Sequence, residues 1–240
     1  MKMEIHSSDV ANQVLETCES TNDLARALGE RGYPQGTWVS SRIQTRGRGR
    51  LGRSWQSMPG NLFLSMLARI PDTSSWSWVP LTAAVSAVEA ALEQGFRRDL
   101  RIKWPNDLLI DGSKAGGILC EGVSGPGGPF IVIGLGINCA QAPEGLDQPT
   151  AFLGVEDLGS FRIQVVDALI RRLRELGESG PGAIRKAYET HAWLAPGTRI
   201  QWSDRSGSVV GLGPHGELQV REEPGGLLRS LFAEDVKIRT

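Results

Sequence analysis

The stretch that decides the fold is residues 101–138, RIKWPNDLLIDGSKAGGILCEGVSGPGGPFIVIGLGIN. Asp111-Gly112 stands between two apolar runs and predicts a tight hairpin, because both residues tolerate the positive φ that a type I′ turn needs. The glycines and prolines at 125–129 predict a second turn, and residues 130–138 have the pattern of an apolar strand. Strands joined by such short turns run antiparallel, so this stretch predicts an antiparallel sheet.

Helical patterns lie on both sides of this stretch. Residues 20–29 begin with Ser20 as a capping hydroxyl and Asp23 three positions later, a pair that satisfies free amides of a first turn. Residues 80–93 place a proline in the first turn and are followed by Gly95. Further helices are predicted at 161–176 and 184–193, and further strands at 37–41 and 61–70. Helices mixed with antiparallel hairpins predict an α+β main domain at residues 1–195.

A different pattern begins after Ala195-Pro196-Gly197, which ends the last helical stretch. Five short strand-like runs with polar turns follow at 198–202, 208–211, 217–220, 227–232 and 236–238. So many short strands in so few residues predict a small SH3-like β-barrel. The sequence therefore predicts a separate C-terminal domain at residues 196–240.

The composition limits the class of protein. The 240 residues are 40% hydrophobic and 22% charged, with a formal net charge of -1, which is typical of a globular protein without the basic surplus of a nucleic-acid binder. The 3 cysteines are scattered and lack zinc-site spacing, which indicates reduced thiols in a cytoplasmic protein. Residues 1–6 contain no apolar run, so we expect no signal peptide, and no stretch is apolar enough to span a membrane.

The stretch 47–55, GRGRLGRSW, predicts a ligand-binding loop. It lacks any periodicity, and its glycines let backbone amides approach a ligand closely. Its arginines present fixed forks that match carboxylate and phosphate oxygens, and Trp55 offers a face for stacking on a flat base. Such a run is also common in flexible RNA-binding segments. Its position between predicted strands of a compact domain favours a lid over a small molecule.

Two more segments carry polar groups near predicted turns. Lys103-Trp-Pro-Asn-Asp107 follows a strand and projects a cation, an amide and a carboxylate, although the same residues make an ordinary β-turn. Lys114 enters a strand opened by glycines, where it either lines a pocket or is solvated at a hairpin. Glycines inside the strand at 130–138 mark a close approach of a ligand or backbone.

Taken together and in this order, these segments resemble the catalytic domain of biotin–protein ligases of the bacterial BirA type. No single motif is specific, but the joint match covers residues 20–138, and the tail fits the small C-terminal barrel of that family. The matching stretches are Ser20-Thr-Asn22, Gln44 to Trp55 with its Gly-Arg repeats, Lys103-Trp-Pro-Asn-Asp107, Lys114-x-Gly-Gly-Ile-Leu119 and Gly134-Leu-Gly-Ile-Asn138.

The resemblance implies a mixed, mainly antiparallel sheet flanked by helices, similar to the catalytic core of class II aminoacyl-tRNA synthetases. It also implies a reaction in two half-steps. The carboxylate of biotin attacks the α-phosphate of ATP and forms biotinyl-5′-AMP and pyrophosphate. The ε-amine of a lysine on a carrier protein then attacks the mixed anhydride and releases AMP.

The resemblance also assigns residues. The implied biotin-binding residues are Ser20, Thr21, Asn22, Gln44, Arg48, Gly49, Arg50, Lys114, Gly117 and Gly136. The implied ATP-binding residues are Arg48, Arg50, Arg53, Trp55, Lys103, Asn106, Lys114 and Asn138. The implied catalytic residues are Lys114, Arg50, Asp107 and Lys103. Lys114 would meet both the biotin carboxylate and the α-phosphate, while Asp107 would either help to hold Mg²⁺ brought with ATP or orient the attacking lysine.

The implied partner is a biotin carboxyl carrier protein, as a domain of a biotin-dependent carboxylase, and the implied cofactor is Mg²⁺ with ATP. Fewer than twenty residues precede Ser20, so we expect no winged helix-turn-helix domain and no DNA binding. Monomer and homodimer both stay open. The alternatives are a lipoate–protein ligase or octanoyltransferase of the same fold, and a non-catalytic module that binds RNA or protein.

Overall fold

The computed structural model describes residues 11–125 and 127–238, so the segment inspected for a signal peptide lies outside the described residues. Within that part of the chain, seven strands form the main sheet in the order β1-β2-β3-β7-β6-β5-β4. Only β1 and β2 run parallel; the other neighbouring pairs are antiparallel, as predicted. The strands are β1 Gln13–Cys18, β2 Trp38–Gln44, β3 Leu62–Ala68, β4 Leu100–Lys103, β5 Asp107–Ile110, β6 Ser113–Val123 and β7 Phe130–Ile137.

Helices cover both faces of this sheet. The α-helices of the described residues are α1 Thr21–Glu30, α2 Val79–Glu93, α3 Leu158–Ser179 and α4 Gly182–His191. The Ala-rich helix α2 is buried over most of its length and joins α3, α4 and one sheet face in a single large core. The other face packs on α1 through a smaller cluster that includes Leu28, Leu67 and Val132. The α+β class is therefore confirmed.

The hairpin predicted at Asp111-Gly112 is confirmed. These two residues have φ of 49° and 81°, and they connect β5 to β6 with Ile110 opposite Ser113. The side chains of a strand alternate between its two faces. On the α1 face, Gly117 of β6 lies directly opposite Gly136 of β7. Because neither residue has a side chain, the sheet is left open there.

The C-terminal stretch forms a second antiparallel sheet. Its strands within the described residues are β8 Arg199–Trp202, β9 Arg205–Leu212, β10 Leu218–Glu223, β11 Leu228–Leu231 and β12 Lys237–Ile238, in the order β11-β10-β9-β8-β12. This pairing bears out the five predicted strands. Closure into an SH3-like barrel and a domain boundary at residue 196 stay predictions.

The turn between β9 and β10 is fixed to the main body by two tryptophans of the larger core and by an arginine of α4. The indole N–H of Trp78 donates to the Pro214 carbonyl at 3.0 Å, and that of Trp104 donates to the Gly216 carbonyl at 3.0 Å. Arg185 donates to the carbonyls of Leu212 and Gly213 at 2.5 and 2.6 Å. These contacts hold the second sheet in a defined position beside the first.

Two features of the N-terminal region differ from the sequence-based expectation. Strand β1 was not predicted; it is an edge strand whose residues are mostly exposed, so its sequence lacks the apolar alternation of a half-buried strand. Ser20 occupies the cap position of α1, but its side chain makes no capping hydrogen bond, so that part of the prediction was wrong. The first helical amide, that of Thr21, donates instead to Gln44 Oε1 at 2.8 Å. Within the described part of the chain, no helix combines the length and the apolarity needed to cross a membrane.

Candidate functional site

A cavity of about 180 Å³ lies on the α1 face of the main sheet, over the glycines of β6 and β7. It brings together every residue singled out from the sequence except Lys103, which does not line it. The predicted residues that line it are Ser20, Thr21, Asn22, Gln44, Arg48, Gly49, Arg50, Arg53, Trp55, Asn106, Asp107, Lys114, Gly117, Gly136 and Asn138.

The floor of the cavity exists because glycine occupies it. A Cβ atom on Gly136 would lie 2.6 Å from the indole of Trp55, and one on Gly117 would lie 3.3 Å from the same ring. The indole therefore rests on bare backbone. Its Nε1 is buried and has no hydrogen-bond partner among the described residues. Trp55 thus supplies an apolar wall with one unused donor.

Lys114 and Asp107 form an ion pair inside the cavity. The Lys114 ammonium lies 2.8 Å from an Asp107 carboxylate oxygen, and both side chains are 19% exposed. The ammonium also lies 5.8 Å from the centre of the Trp55 ring. Backbone hydrogen bonds of 2.9 Å to Pro149 and from Ala151 fix the main chain of Lys114. The lysine is therefore a positioned cation, and the solvated-hairpin alternative is wrong.

A chain of polar side chains forms one wall of the cavity. Gln44 Oε1 accepts from the backbone N–H of Thr21 at 2.8 Å and from its hydroxyl at 3.0 Å. The Ser65 hydroxyl lies 2.7 Å from Thr21 Oγ1 and 2.6 Å from Asn22 Oδ1. Asn22 Nδ2 donates to Glu121 at 2.6 Å. Four short elements, α1, β2, β3 and β6, thus converge in one network.

The Gly-Arg loop, residues 47–55, is held at both ends. Arg48 makes two hydrogen bonds of 2.7 Å to the carboxylate of Asp23, and these lower the pKa of that carboxyl group. The predicted capping acid of α1 is therefore an anchor for the loop. At the other end Arg50 donates to Asn106 Oδ1 at 2.8 Å and to the carbonyl of Ala233 in the C-terminal sheet region.

A carboxylate from the C-terminal region also reaches this loop. Arg53 forms an ion pair with Asp235, which itself lines the cavity. Burial alone would raise the pKa of Asp235, but the hydrogen bond and the charge of Arg53 lower it overall. The loop is therefore an ordered cover of the cavity. Arg48 and Arg53 pair with carboxylates of the chain, and Arg50 pairs with a side-chain amide and a backbone carbonyl.

Two further predicted residues lie at the ends of the site. Asn138 donates from Nδ2 to the Ala151 carbonyl at 3.0 Å, while its buried Oδ1 has no partner among the described residues. It therefore offers the cavity an unused acceptor. Lys103 ends β4 opposite Asp107, and its charge contributes to lowering the pKa of Asp235. Lys103 is thus a neighbour of the site and not part of its lining.

Three residues of the site were missed in the sequence analysis. Ser65 is a fully buried polar residue within the apolar run of β3, which was a visible signal. Glu121 follows Gly117 by four residues in β6, and the alternation of side chains along a strand places both on the same face, so the sequence carried a signal for it. Asp235 carries no local signal, because only the docking of the second sheet brings it to the cavity.

Known proteins with similar sequences match most of this chain. The sequence profile of the biotin/lipoate A/B protein ligase family matches residues 14–138. The biotin–acetyl-CoA-carboxylase ligase of Paracoccus denitrificans is 34% identical over 201 residues, which are 78% of this chain and 81% of that protein. The bifunctional ligase/repressor BirA of Bacillus subtilis is 30% identical over 241 residues, covering 93% of this chain and 72% of that protein.

The fold is also similar to that of a solved structure. The biotin protein ligase from Aquifex aeolicus in complex with biotin and ATP superposes with a TM-score of 0.79 at 24% identity, covering 95% of this chain and 98% of that chain. The family match at residues 14–138 contains the sheet face, the loop and most of the cavity lining. The chain is a member of the biotin/lipoate A/B protein ligase family.

Proposed function

We propose that this protein is a biotin–protein ligase, which activates biotin with ATP and transfers it to a lysine of a biotin carboxyl carrier domain. The observation that carries the proposal is the Lys114 ammonium, fixed 2.8 Å from Asp107 in a cavity covered by an arginine-rich loop. One wall of that cavity holds the polar chain around Thr21 and Gln44, which suits a small ring with both donors and acceptors.

The first half-reaction joins two anions. The carboxylate oxygen of biotin attacks the α-phosphorus of ATP, a new O–P bond forms, and the bond to the β-phosphate oxygen breaks as pyrophosphate leaves. Lys114 offsets the repulsion between the reactants and stabilises charge that develops at the α-phosphate. Arg50 and Arg53 stand over the same space, and both would exchange contacts with Ala233 and Asp235 for phosphate oxygens.

The second half-reaction forms an amide. The neutral ε-amine of the carrier lysine attacks the carbonyl carbon of the mixed anhydride, AMP leaves with the electron pair of the C–O bond, and the nitrogen releases one proton to solvent. Once Lys114 engages the ligand, the Asp107 carboxylate is free to orient the incoming amine and to accept a hydrogen bond from it. This assignment gives the ion pair of the cavity one role in each half-step.

Mg²⁺ is proposed to accompany ATP. The described residues contain no group of three or more side chains able to hold a metal ion. Mg²⁺ is commonly bound by one or two carboxylates together with substrate phosphates and water. Asp107, one of the two carboxylates that line the cavity, fits this pattern in the first half-reaction, where the ion would neutralise the leaving pyrophosphate.

The remaining unused polar atoms fit a nucleotide. The Asn138 Oδ1 acceptor would not face a phosphate oxygen, because two acceptors repel, so it suits a hydroxyl or amino donor of the nucleoside. The Trp55 face suits a flat base or the apolar tail of biotin. We therefore assign Asn138 to the nucleoside and the arginines to the phosphates.

Replacing Arg50 by alanine is expected to speed the escape of biotinyl-AMP by roughly tenfold, because a charge-assisted contact of the cover is lost. The dissociation rate of preformed biotinyl-AMP measures this effect. Arg31→Ala, at the residue that follows the last turn of α1 and outside the cavity lining, is the control. Equal dissociation rates in the Arg50 variant and wild type would remove Arg50 from the cover.

The function itself is tested by incubation with ATP, Mg²⁺, a carrier domain and either biotin, lipoate or octanoate. We expect a mass increase of the carrier with biotin alone, and pyrophosphate exchange that depends strictly on biotin. Labelling with lipoate or octanoate would indicate the related ligase or transferase instead. RNA binding that ATP does not compete, without any labelling, would favour a binding module.

A further inference from the structure

We propose that Glu121 and Ser65 are positioning residues that set the direction of the hydrogen bonds of Asn22 and Thr21 in the polar wall of the cavity. This inference rests on the proposed function and deepens it, because it names what selects the ring of the substrate. The two residues lie on the same face of the sheet, on strands β6 and β3, which flank β7, and neither lines the cavity. Their effect on a ligand therefore passes through Thr21 and Asn22.

The donor-to-acceptor direction of the hydrogen-bond chain is fixed at Glu121. A carboxylate only accepts hydrogen bonds, so the Asn22 atom that lies 2.6 Å from it must be the amide nitrogen. The carboxylate is held in place by Arg26 at 3.2 Å and faces Arg48 at 3.6 Å. Gly134 leaves room for this arrangement, since a Cβ atom there would lie 2.1 Å from Asn22 Oδ1.

The direction then passes along the chain of hydroxyls. Because Asn22 Oδ1 can only accept, the hydroxyl proton of Ser65 points toward it over 2.6 Å. The Thr21 hydroxyl must then give its own proton either to Ser65 at 2.7 Å or to Gln44 Oε1 at 3.0 Å. In both arrangements that proton stays within the protein, and Thr21 Oγ1 presents lone pairs to the cavity.

The direction of Gln44 is fixed from the opposite side. Its Oε1 accepts from the backbone N–H of Thr21, which can only donate, so the other end of the amide is the Nε2 donor. No hydrogen bond of Nε2 to the protein is found in residues 11–125 and 127–238. The wall therefore displays one acceptor, Thr21 Oγ1, and one donor, Gln44 Nε2.

This pair of groups is complementary to a cyclic urea, which donates from N–H and accepts at its carbonyl oxygen. A dithiolane ring has no N–H donor and no oxygen acceptor, so it gains nothing from this wall. A site that hydrogen-bonds its ligand rejects analogues without those groups, because its own polar atoms would be left unpaired. The selectivity for the urea ring would thus originate at a carboxylate that does not touch it.

The test compares Glu121→Gln, Ser65→Ala and the double variant by calorimetric titration with biotin. A glutamine at 121 is isosteric but donates as well as accepts, so Asn22 can turn over and the Thr21 proton can point into the cavity. We expect the Kd for biotin to rise by about tenfold in each single variant. In the double variant we expect a Kd within about twofold of that of the single variant that binds more weakly, because both substitutions interrupt the same relay of hydrogen bonds.

A matched control separates this role from ordinary stability. Glu89 is 20% exposed and pairs with Arg171 and Arg172 on the opposite helical layer, while Glu121 is 23% exposed. Glu89→Gln should lower the melting temperature without changing the Kd for biotin. In Glu121→Gln the kcat at saturating biotin should stay within about threefold of wild type, since the relay acts on binding.

The outcomes distinguish the two proposals. A wild-type chain that binds no biotin would overturn both the proposed function and this inference. A wild-type chain that binds biotin, together with an unchanged Kd in Glu121→Gln, would overturn the inference alone. Additive losses in the double variant would also overturn it, because two independent contacts and not a directed relay would then be present.

Discussion

Lys114→Ala is expected to lower biotin-dependent pyrophosphate exchange by about 10²–10³-fold, which is the usual cost of removing one preorganised contact to a developing charge. The lysine is the cavity cation nearest to Asp107, with 19% of its side chain exposed, so water cannot fully replace it. The exchange rate at saturating biotin and ATP measures the loss directly.

The control for this variant must account for Asp107, which loses its ion-pair partner when Lys114 is removed. Lys114→Ala leaves the partly buried Asp107 carboxylate without a partner, whereas the glutamine of Lys114→Gln can donate a hydrogen bond to it without carrying a charge. Lys186→Ala on α4, outside the cavity lining, reports the effect of losing any lysine. If Lys114→Gln exchanged pyrophosphate at the wild-type rate, the charge of Lys114 would have no part in the chemistry.

Trp104→Ala is expected to lower the free energy of unfolding by about 3–5 kcal/mol, the usual cost of removing a large buried aromatic side chain. Trp104 is 2% exposed, and its indole donates to the Gly216 carbonyl at 3.0 Å, so it belongs to the core of the main body and also holds the second sheet. Urea denaturation followed by tryptophan fluorescence and by circular dichroism measures the change.

The same experiment tests whether the two sheets unfold together. One continuous core contains Trp104 together with Ile200, Val220 and Leu231 of the C-terminal sheet. We therefore expect a single coincident transition in wild type. Trp104→Phe, which keeps most of the volume but loses the hydrogen bond, should lose less stability than the alanine variant. Two separate transitions in the wild-type chain would show that the sheets are independent units.

Much of the site was predictable because its residues lie close together in the chain. The hairpin at Asp111-Gly112 fixes the register of β5 and β6, and the alternation of side chains along a strand then places Gly117 on the open face. The Gly-Arg loop and Lys114 carry chemistry in their own residue types. Their position around one cavity follows from antiparallel pairing of neighbouring strands.

The local interpretation failed where a side chain had two partners available. Ser20 and Asp23 match a helix cap, but Asp23 pairs with Arg48, whose guanidinium supplies two hydrogen bonds and a full charge. A charged bidentate contact is stronger than a capping contact to a backbone amide. Strand β1 was missed because its mostly exposed residues have a weak strand pattern, and its hydrogen bonds to β2 hold it in the sheet.

The sequence by itself determined the α+β class, the glycine floor and the Gly-Arg loop. Only the tertiary structure decided that Asn22 meets Glu121, 99 residues away, and that Arg53 meets Asp235, 182 residues away. Backbone propensity and side-chain alternation act over a few residues, so they are written in the local sequence. Hydrogen bonds between distant elements depend on how whole sheets pack, and no local pattern encodes that packing.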